Sequence, residues 1–397
     1  MFGKWKMYND QGLVMGEVDS LDANALIHWL MVEGPRQEDP SQFLHSFCLR
    51  LRKAGIQVDR ATLGAPLLHP VAQSSYVFWE VETGPSQRWF KYTPDLVETL
   101  KASPIYPIYN RGEASSLRLD QPQDRGRYPV GGDLWAEGYH QYEVLPLQFS
   151  DGTYKALTLA TRSPQGFSAT ALSIINTALP AVSLVFEGYV ARNTAVILME
   201  TYVGTRAGRR VLDGEIARGD GSHIDAVIWF SDLRGFTSLV QSHDEDELLN
   251  LLNEYFGRLT DAIESHSGEV LKFIGDAMLA IFAYEDDIAD AVARAEAAAL
   301  DVMKANSSSH EFSFGIGLHP GSVFYGNIGG GTRLDFTVIG RAVNIASRIE
   351  GLCAELDQPL LASAAFVENS SLDWKSAGLK KLKGVEDPVE IFGIKTH

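Results

Sequence analysis

The sequence predicts an α+β protein built in two parts, on three observations. Apolar runs of strand length alternate with amphipathic stretches of helical period through the second half of the chain. Their order there is strand, helix, strand, strand, helix, strand, which sets helices on one face of an antiparallel sheet. Ahead of it, a strand–turn–strand–helix unit closes a separate region. The 397 residues therefore divide into an N-terminal α+β domain at 1–167, a helical connector and linker at 168–221, and a C-terminal α+β domain at 222–397.

The first 130 residues or so carry the weakest signals. In "SQFLHSFCLRLRKAGI", Phe43, Phe47, Leu49 and Leu51 fall at helical spacing, and Gly55 is placed to stop the helix. From Tyr139, "YEVLPLQFSDGTYKALTLATR" reads as strand, Asp-Gly turn, strand. A helix begins near Ser168, whose hydroxyl can cap it. Leu172, Ile175, Leu179, Val182, Phe186, Tyr189 and Val196 recur along it in steps of three and four, with Asn193 in the seam. That stripe is either a coiled-coil seam or the face the helix turns to its own sheet. Pro180 inside the register calls for a kink. The following "GTRAGRRVLDGEIARGDGSH" is rich in glycine and charge and reads as a linker ending near residue 222. The stretch "PLQFSDGTYKALTLATRSPQGFSATAL" resembles the closing third of GAF-type sensory domains. The resemblance implies a GAF-like regulatory domain at 1–167 with a small-molecule ligand that nothing in the sequence identifies.

In the second half, "IDAVIWF" is a continuous apolar strand, and "SDLRGFTSLVQSHDEDELLNLLNEYFGRLTDAIESHSG" is helical with Leu248, Leu252, Tyr255, Leu259 and Ile263 at core spacing. "EVLKFIGDAMLAIF" reads as a hairpin turning at Gly275-Asp276, and "DDIADAVARAEAAALDVMKA" as a helix. "FSFGIGLHPGSVFYGNIG" reads as a second hairpin, before strand "DFTVIG" and helix "RAVNIASRIEGL". This is the β-α-β-β-α-β order of a ferredoxin-like core. The glycine-rich "GNIGGGTR" lacks the Lys-Ser/Thr of a phosphate-binding loop and "GIGLHPG" does not satisfy GxGxxG, so both are expected to be hairpin connections.

Composition narrows the chemistry. A formal charge of −17 disfavours binding nucleic acid or lying on an anionic membrane through bulk electrostatics. Two cysteines far apart, Cys48 and Cys353, give no disulfide framework and point to a reducing compartment. The apolar "ALSIINTALPAVSLVFEGYV" is interrupted by Asn176, Pro180 and Glu187, and the N-terminus has no apolar secretory core. A cytoplasmic protein without a membrane insertion is expected.

Asp232 and Asp276 each stand at a strand end, and the topology makes those strands neighbours. Singly, each would be a cap or turn residue. Together with a nearby backbone carbonyl they suit one or two Mg²⁺ or Mn²⁺ ions bridging a triphosphate. Asn344 and Arg348, four apart, share a helix face, and an Arg there can donate twice to a phosphoryl oxygen.

These residues sit in "FSDLRGFTSL", "VLKFIGDAMLAIF" and "DFTVIGRAVNIASRIE"; with the closing "LKGVEDPVEIFGI" they resemble the class III nucleotidyl cyclase catalytic domain. The resemblance covers about residues 222–397. It implies conversion of ATP to cyclic AMP and pyrophosphate with two Mg²⁺ or Mn²⁺ ions, in a homodimer with shared active sites. Asp232, Asp276 and the Leu233 carbonyl would hold metal. Phe236 and Thr237 would line the substrate, Asn344 would orient the ribose, and Arg348 would stabilise the transferring phosphate.

Base choice would fall to Lys272 and Thr337: an ammonium donates to adenine N1, and a hydroxyl accepts from the N6 amine. Guanine needs an acidic acceptor that neither position supplies. Many relatives carry Asp where this chain has Thr337, and the Thr form resembles a bacterial adenylate cyclase subgroup often activated by bicarbonate. Gly315 stands where mammalian relatives place a phosphate-contacting Arg, which leaves Lys383 as the candidate triphosphate contact. A cyclase for GTP or a pyrimidine triphosphate, or a silent nucleotide-binding signalling dimer, are the alternatives.

Overall fold

The computed structural model describes residues 23–66, 68–70, 72–91, 93–309, 313–331 and 333–394. The chain folds as two compact units, Met1–Ala195 and Val196–His397. The division falls inside the stretch read as connector.

The N-terminal unit contains α1 (Ala23–Val32), α2 (Pro40–Lys53), β1 (Arg60–Pro66), β2 (Ala72–Glu80), β3 (Gly84–Lys91), α3 (Pro94–Lys101), α4 (Tyr106–Arg111), β4 (Ser115–Arg118), α5 (Pro122–Arg125), α6 (Pro129–Ala136), β5 (Gln141–Gln148), β6 (Tyr154–Thr161) and most of α7 (Ala169–Val203). Its antiparallel sheet runs β3-β2-β1-β6-β5-β4. Asp39 caps α2 by accepting from Ser41 N and Gln42 N at 2.6 and 2.9 Å, with Pro40 in the first turn where no N–H is needed. Phe43, Leu44, Phe47, Cys48 and Leu51 are its buried face, whereas Leu49 is 46% exposed. Two residues past Phe47, Leu49 falls on the opposite side of a 3.6-residue helix, so its place in the predicted stripe was wrong.

The β5–β6 hairpin turns at Asp151-Gly152, where Asp151 Oδ1 accepts from Thr153 N at 2.8 Å and Gly152 has φ 81°. Ser168 Oγ then accepts from Ala171 N at 3.1 Å at the start of α7. Of the two readings of the α7 stripe, the part within this unit is a core face. Ile175, Val182 and Phe186 are buried among the sheet's side chains, with Leu172, Leu179 and Tyr189 packed against them. By length and composition alone α7 could cross a bilayer, but that face is already committed to the sheet.

The C-terminal unit follows with α8 (Thr205–Leu212), β7 (Gly221–Leu233), α9 (Phe236–Ser242), α10 (Glu245–Ser265), β8 (Glu269–Ile274), β9 (Ala277–Tyr284), α11 (Ile288–Ser309), β10 (Phe314–Gly330), β11 (Arg333–Ile339), α12 (Arg341–Glu350), α13 (Leu352–Glu355), β12 (Leu360–Ser363), α14 (Ala364–Val367), β13 (Trp374–Lys380) and β14 (Val389–Ile394). The sheet order is β13-β14-β12-β10-β7-β9-β8, with β11 paired to β10. Strand β7 is buried on both faces. Val227 and Trp229 join Tyr255, Leu259 and Ile263 of α10 and Ala291 and Ala295 of α11. Ala226 and Ile228 point the other way, toward Ala207 of α8 and Ala342 and Ala346 of α12. Helices therefore cover both faces of this sheet, not one.

Three readings of local structure change. The segment taken for a linker contains α8, because Gly208 lets it approach the preceding helix: a Cβ there would lie 2.9 Å from the Met199 carbonyl carbon. The single helix after β7 is broken where His243 turns extended and Asp244 starts α10 through a capping box with Glu247. The predicted hairpin at 312–329 is one 17-residue strand, β10, paired with β7 from Phe314↔Leu233 to Gly326↔Gly221. Its glycines are there for close packing, not for turning. A Cβ at Gly317 would meet Ala346 O at 2.5 Å, and one at Gly321 would meet Ala342 Cβ at 2.7 Å. Pro320 is tolerated because β12 covers Ile316–Leu318 and β11 covers Phe324–Gly330, which leaves it in the gap between them. Thus "GIGLHPG" lies mid-strand, while "GNIGGGTR" runs through the β10–β11 turn, with Gly331 at φ 60°.

Candidate active site

Antiparallel pairing of Ser231 with Met278 places the C-terminal end of β7, Asp232 and Leu233, opposite the β8–β9 turn. Asp232 and Asp276 face each other there, and burial together with the Asp276 charge pushes Asp232 up to about 6. Asp232 Oδ1 also accepts from Leu233 N at 3.0 Å. Gly235, at φ 73°, swings the chain into α9. In the first turn of that helix Phe236 packs on the core and Thr237 is exposed.

Arg234 anchors this corner. Its Nη2 donates to the carbonyls of Cys353 and Gln358 at 2.7 and 2.6 Å, and its backbone N donates to Ser313 O at 2.7 Å. A third carboxyl, Glu350 at the end of α12, is pushed up to about 7 by burial and by the Asp232 and Asp276 charges, against the pull of Arg234. Gly315 pairs with Asp232, and a Cβ on it would stand 2.6 Å from Glu350 Oε1. Glu350 therefore fills the space a side chain at 315 would need. Its role is invisible in sequence, because nothing local links residues 315 and 350.

Among the described residues no group of three or more His, Cys, Asp or Glu side chains forms a metal cage. Two hard carboxylates and the Leu233 carbonyl instead fit Mg²⁺ or Mn²⁺, which keep waters and share their shell with substrate phosphates. Mutual repulsion of the pair also favours a neutralising cation. An acid held above its unfolded-state value binds more protons folded than unfolded. The stability it contributes is therefore present at low pH and lost as pH rises from about 4 through 6. In EDTA at pH 8, Asp232→Asn is expected to melt above wild type, with the gap closing at pH 4. Saturating Mn²⁺ should raise wild type by roughly 5–10 °C at 100 times Kd, by mass action, and the variant by much less. Equal shifts in both proteins would remove Asp232 from the cation site.

Lys272 lies on β8 beside a bulge, where the register slips between Val270 and Lys272. Leu271 enters the core, and the bulge re-aims the lysine. Lys272 Nζ pairs with Asp335 Oδ2 of β11 at 2.5 Å. Thr337, buried, follows two residues later on the same side of that strand. Lys272, Asp335 and Phe336 line a cavity of about 1520 Å³, together with Arg206 and Arg210 of α8. On α12, Ala342, Ile345, Ala346 and Ile349 are buried, which leaves Asn344 and Arg348 side by side on the exposed face. Lys383 is exposed in a turn whose flanks, Leu382 and Val385, pack with Ile345 and Ile349. The fold thus pairs Asp232 with Asp276, Lys272 with the strand of Thr337, and Asn344 with Arg348, and it sets the Lys383 turn beside α12.

Residues 221–392 match the family model described as "Adenylate and Guanylate cyclase catalytic domain". An adenylate cyclase of Anabaena cylindrica is 35% identical over 185 residues, 43% of this chain and 36% of that protein. Adenylate cyclase 1 of Rhizobium meliloti is 27% identical over 181 residues, 43% of this chain and 27% of that protein. The structure of the guanylyl cyclase Cya2 is similar at 31% identity and TM-score 0.38, covering 44% of this chain and 93% of that one. The chain spans about a third of the length of the curated relatives it matches. The cyclase match therefore falls within the C-terminal unit.

Proposed function

We propose that the C-terminal unit is a class III adenylate cyclase that forms cyclic AMP and pyrophosphate from ATP. The observation that carries this reading is the convergence of Asp232 and Asp276 at the end of β7. Asp232, Asp276 and the Leu233 carbonyl would hold Mg²⁺ or Mn²⁺, which supplies charge neutralisation for the triphosphate and the reacting oxygens. Lys272 donates to adenine N1 and Thr337 accepts from N6. Asn344 orients the ribose, and Arg348 donates to the oxygens of the α-phosphate where charge builds. Phe236 and Thr237 line the triphosphate, and Lys383 extends toward it. The strand order β10-β7-β9-β8 supports the ferredoxin-like reading of the core.

Two copies assemble in this reading, each lending its carboxylate pair to the base and phosphate residues of the other. The N-terminal unit is the regulatory part. Its closing β5–turn–β6–α7 order supports the GAF-like assignment made from the same residues, and a small molecule is its expected effector.

Asp335 gives GTP a specific claim as the alternative, since it brings an acidic acceptor to Lys272. Incubation with each nucleoside triphosphate and Mn²⁺, with products identified by mass spectrometry, separates these readings. Cyclic AMP is expected as the main product. Cyclic GMP as the main product would overturn the base assignment, and no cyclic product would overturn the reaction.

A further inference from the structure

We propose that Asp335 is a positioning residue of the base pocket: its carboxylate fixes the Lys272 ammonium so that a free N–H faces adenine N1. The inference rests on the cyclase reading above. Strand β11 runs antiparallel to β10, with Asp335 opposite Ile328 and Thr337 opposite Gly326. Asp335 and Thr337 are therefore on one side of the strand, while Phe336 between them is buried against Tyr325 at 4.8 Å between ring centroids. That buried ring locks the rotation of β11 and so the direction of both polar side chains.

Lys272 arrives from β8 on a flexible four-carbon stem, re-aimed by the bulge. Left alone, its ammonium would sample many rotamers, and ordering it would weaken nucleotide binding. Pairing with Asp335 at 2.5 Å uses one N–H and leaves two. The Asp335 side chain is 64% exposed and that of Lys272 26%. An ion pair this open adds little to folding. Orientation is what it can supply.

The test compares ATP with 1-deaza-ATP, which lacks the N1 acceptor, on wild type, Asp335→Asn and Asp335→Glu. If Asp335 aims Lys272 at N1, Asp335→Asn should lower kcat/KM for ATP roughly ten-fold, the scale of one weakened charge-assisted hydrogen bond. Turnover of 1-deaza-ATP should fall by less than about two-fold, because that bond is already absent, and the wild-type preference for ATP should collapse. Asp335→Glu should restore most of the preference, and all three proteins should melt together. A structural role would lower both substrates alike. Equal losses in an active enzyme, or none, overturn the inference and leave the cyclase reading standing. A wild-type chain that cyclises no nucleotide overturns both.

Discussion

Asp232→Ala and Arg348→Ala, each nearly inactive alone, are expected to recover about a quarter of wild-type cyclase activity when mixed in equal amounts. The single losses follow from the chemistry of each group. Arg348 presents a guanidinium from the exposed face of α12. Removing one donor to a charged transition state costs about 10²–10³ in kcat. Asp232→Ala takes away one of two carboxylates for the cation and leaves Asp276 without its neighbouring acid. In a dimer with shared sites, both sites of either homodimer are defective. A mixed dimer gathers both defects in one site and leaves the other intact. Random pairing makes about half the dimers mixed, each half active, which gives the quarter. Exchange is checked by co-purification of differently tagged chains. Chains that exchange yet recover nothing would place the whole site within one chain.

What could be read in advance follows from how local each signal is. Asp232 and Asp276 were legible because each sits at the end of an apolar run, and the run order implied neighbouring strands. Asn344 and Arg348 needed only helical spacing. Strand β10 was misread because Gly315, Gly317, Pro320 and Gly321 carry turn chemistry, yet they serve close helix packing and a gap in strand pairing. The α8 helix was hidden by the same ambiguity at Gly208. Asp335 and Glu350 were missed for a different reason. Asp335 meets Lys272 across 63 residues, and Glu350 meets the Asp232 corner through the register of β10, so neither leaves a trace in its own neighbourhood. Sequence periodicity finds faces. It does not find which polar tips those faces bring together.

Lys272→Glu is expected to lower kcat/KM for ATP by roughly 10–150-fold, and to move the ATP-to-GTP preference toward GTP. A charge-assisted hydrogen bond of about 1.5–3 kcal/mol disappears with the ammonium, and each 1.4 kcal/mol is about ten-fold. Adenine N1 accepts, so a carboxylate in that place offers it nothing. The structure adds a second cost, because the new carboxylate would stand where the ammonium now meets Asp335. Two like charges at that separation repel and spread apart or share a proton. Guanine relieves this: its N1–H and N2 amine are donors, and facing carboxylates are acceptors for both. Steady-state kinetics on the two nucleotides read the change directly. An unaltered kcat/KM for ATP would mean that Lys272 does not touch the base, and that its pairing with Asp335 is only a surface contact.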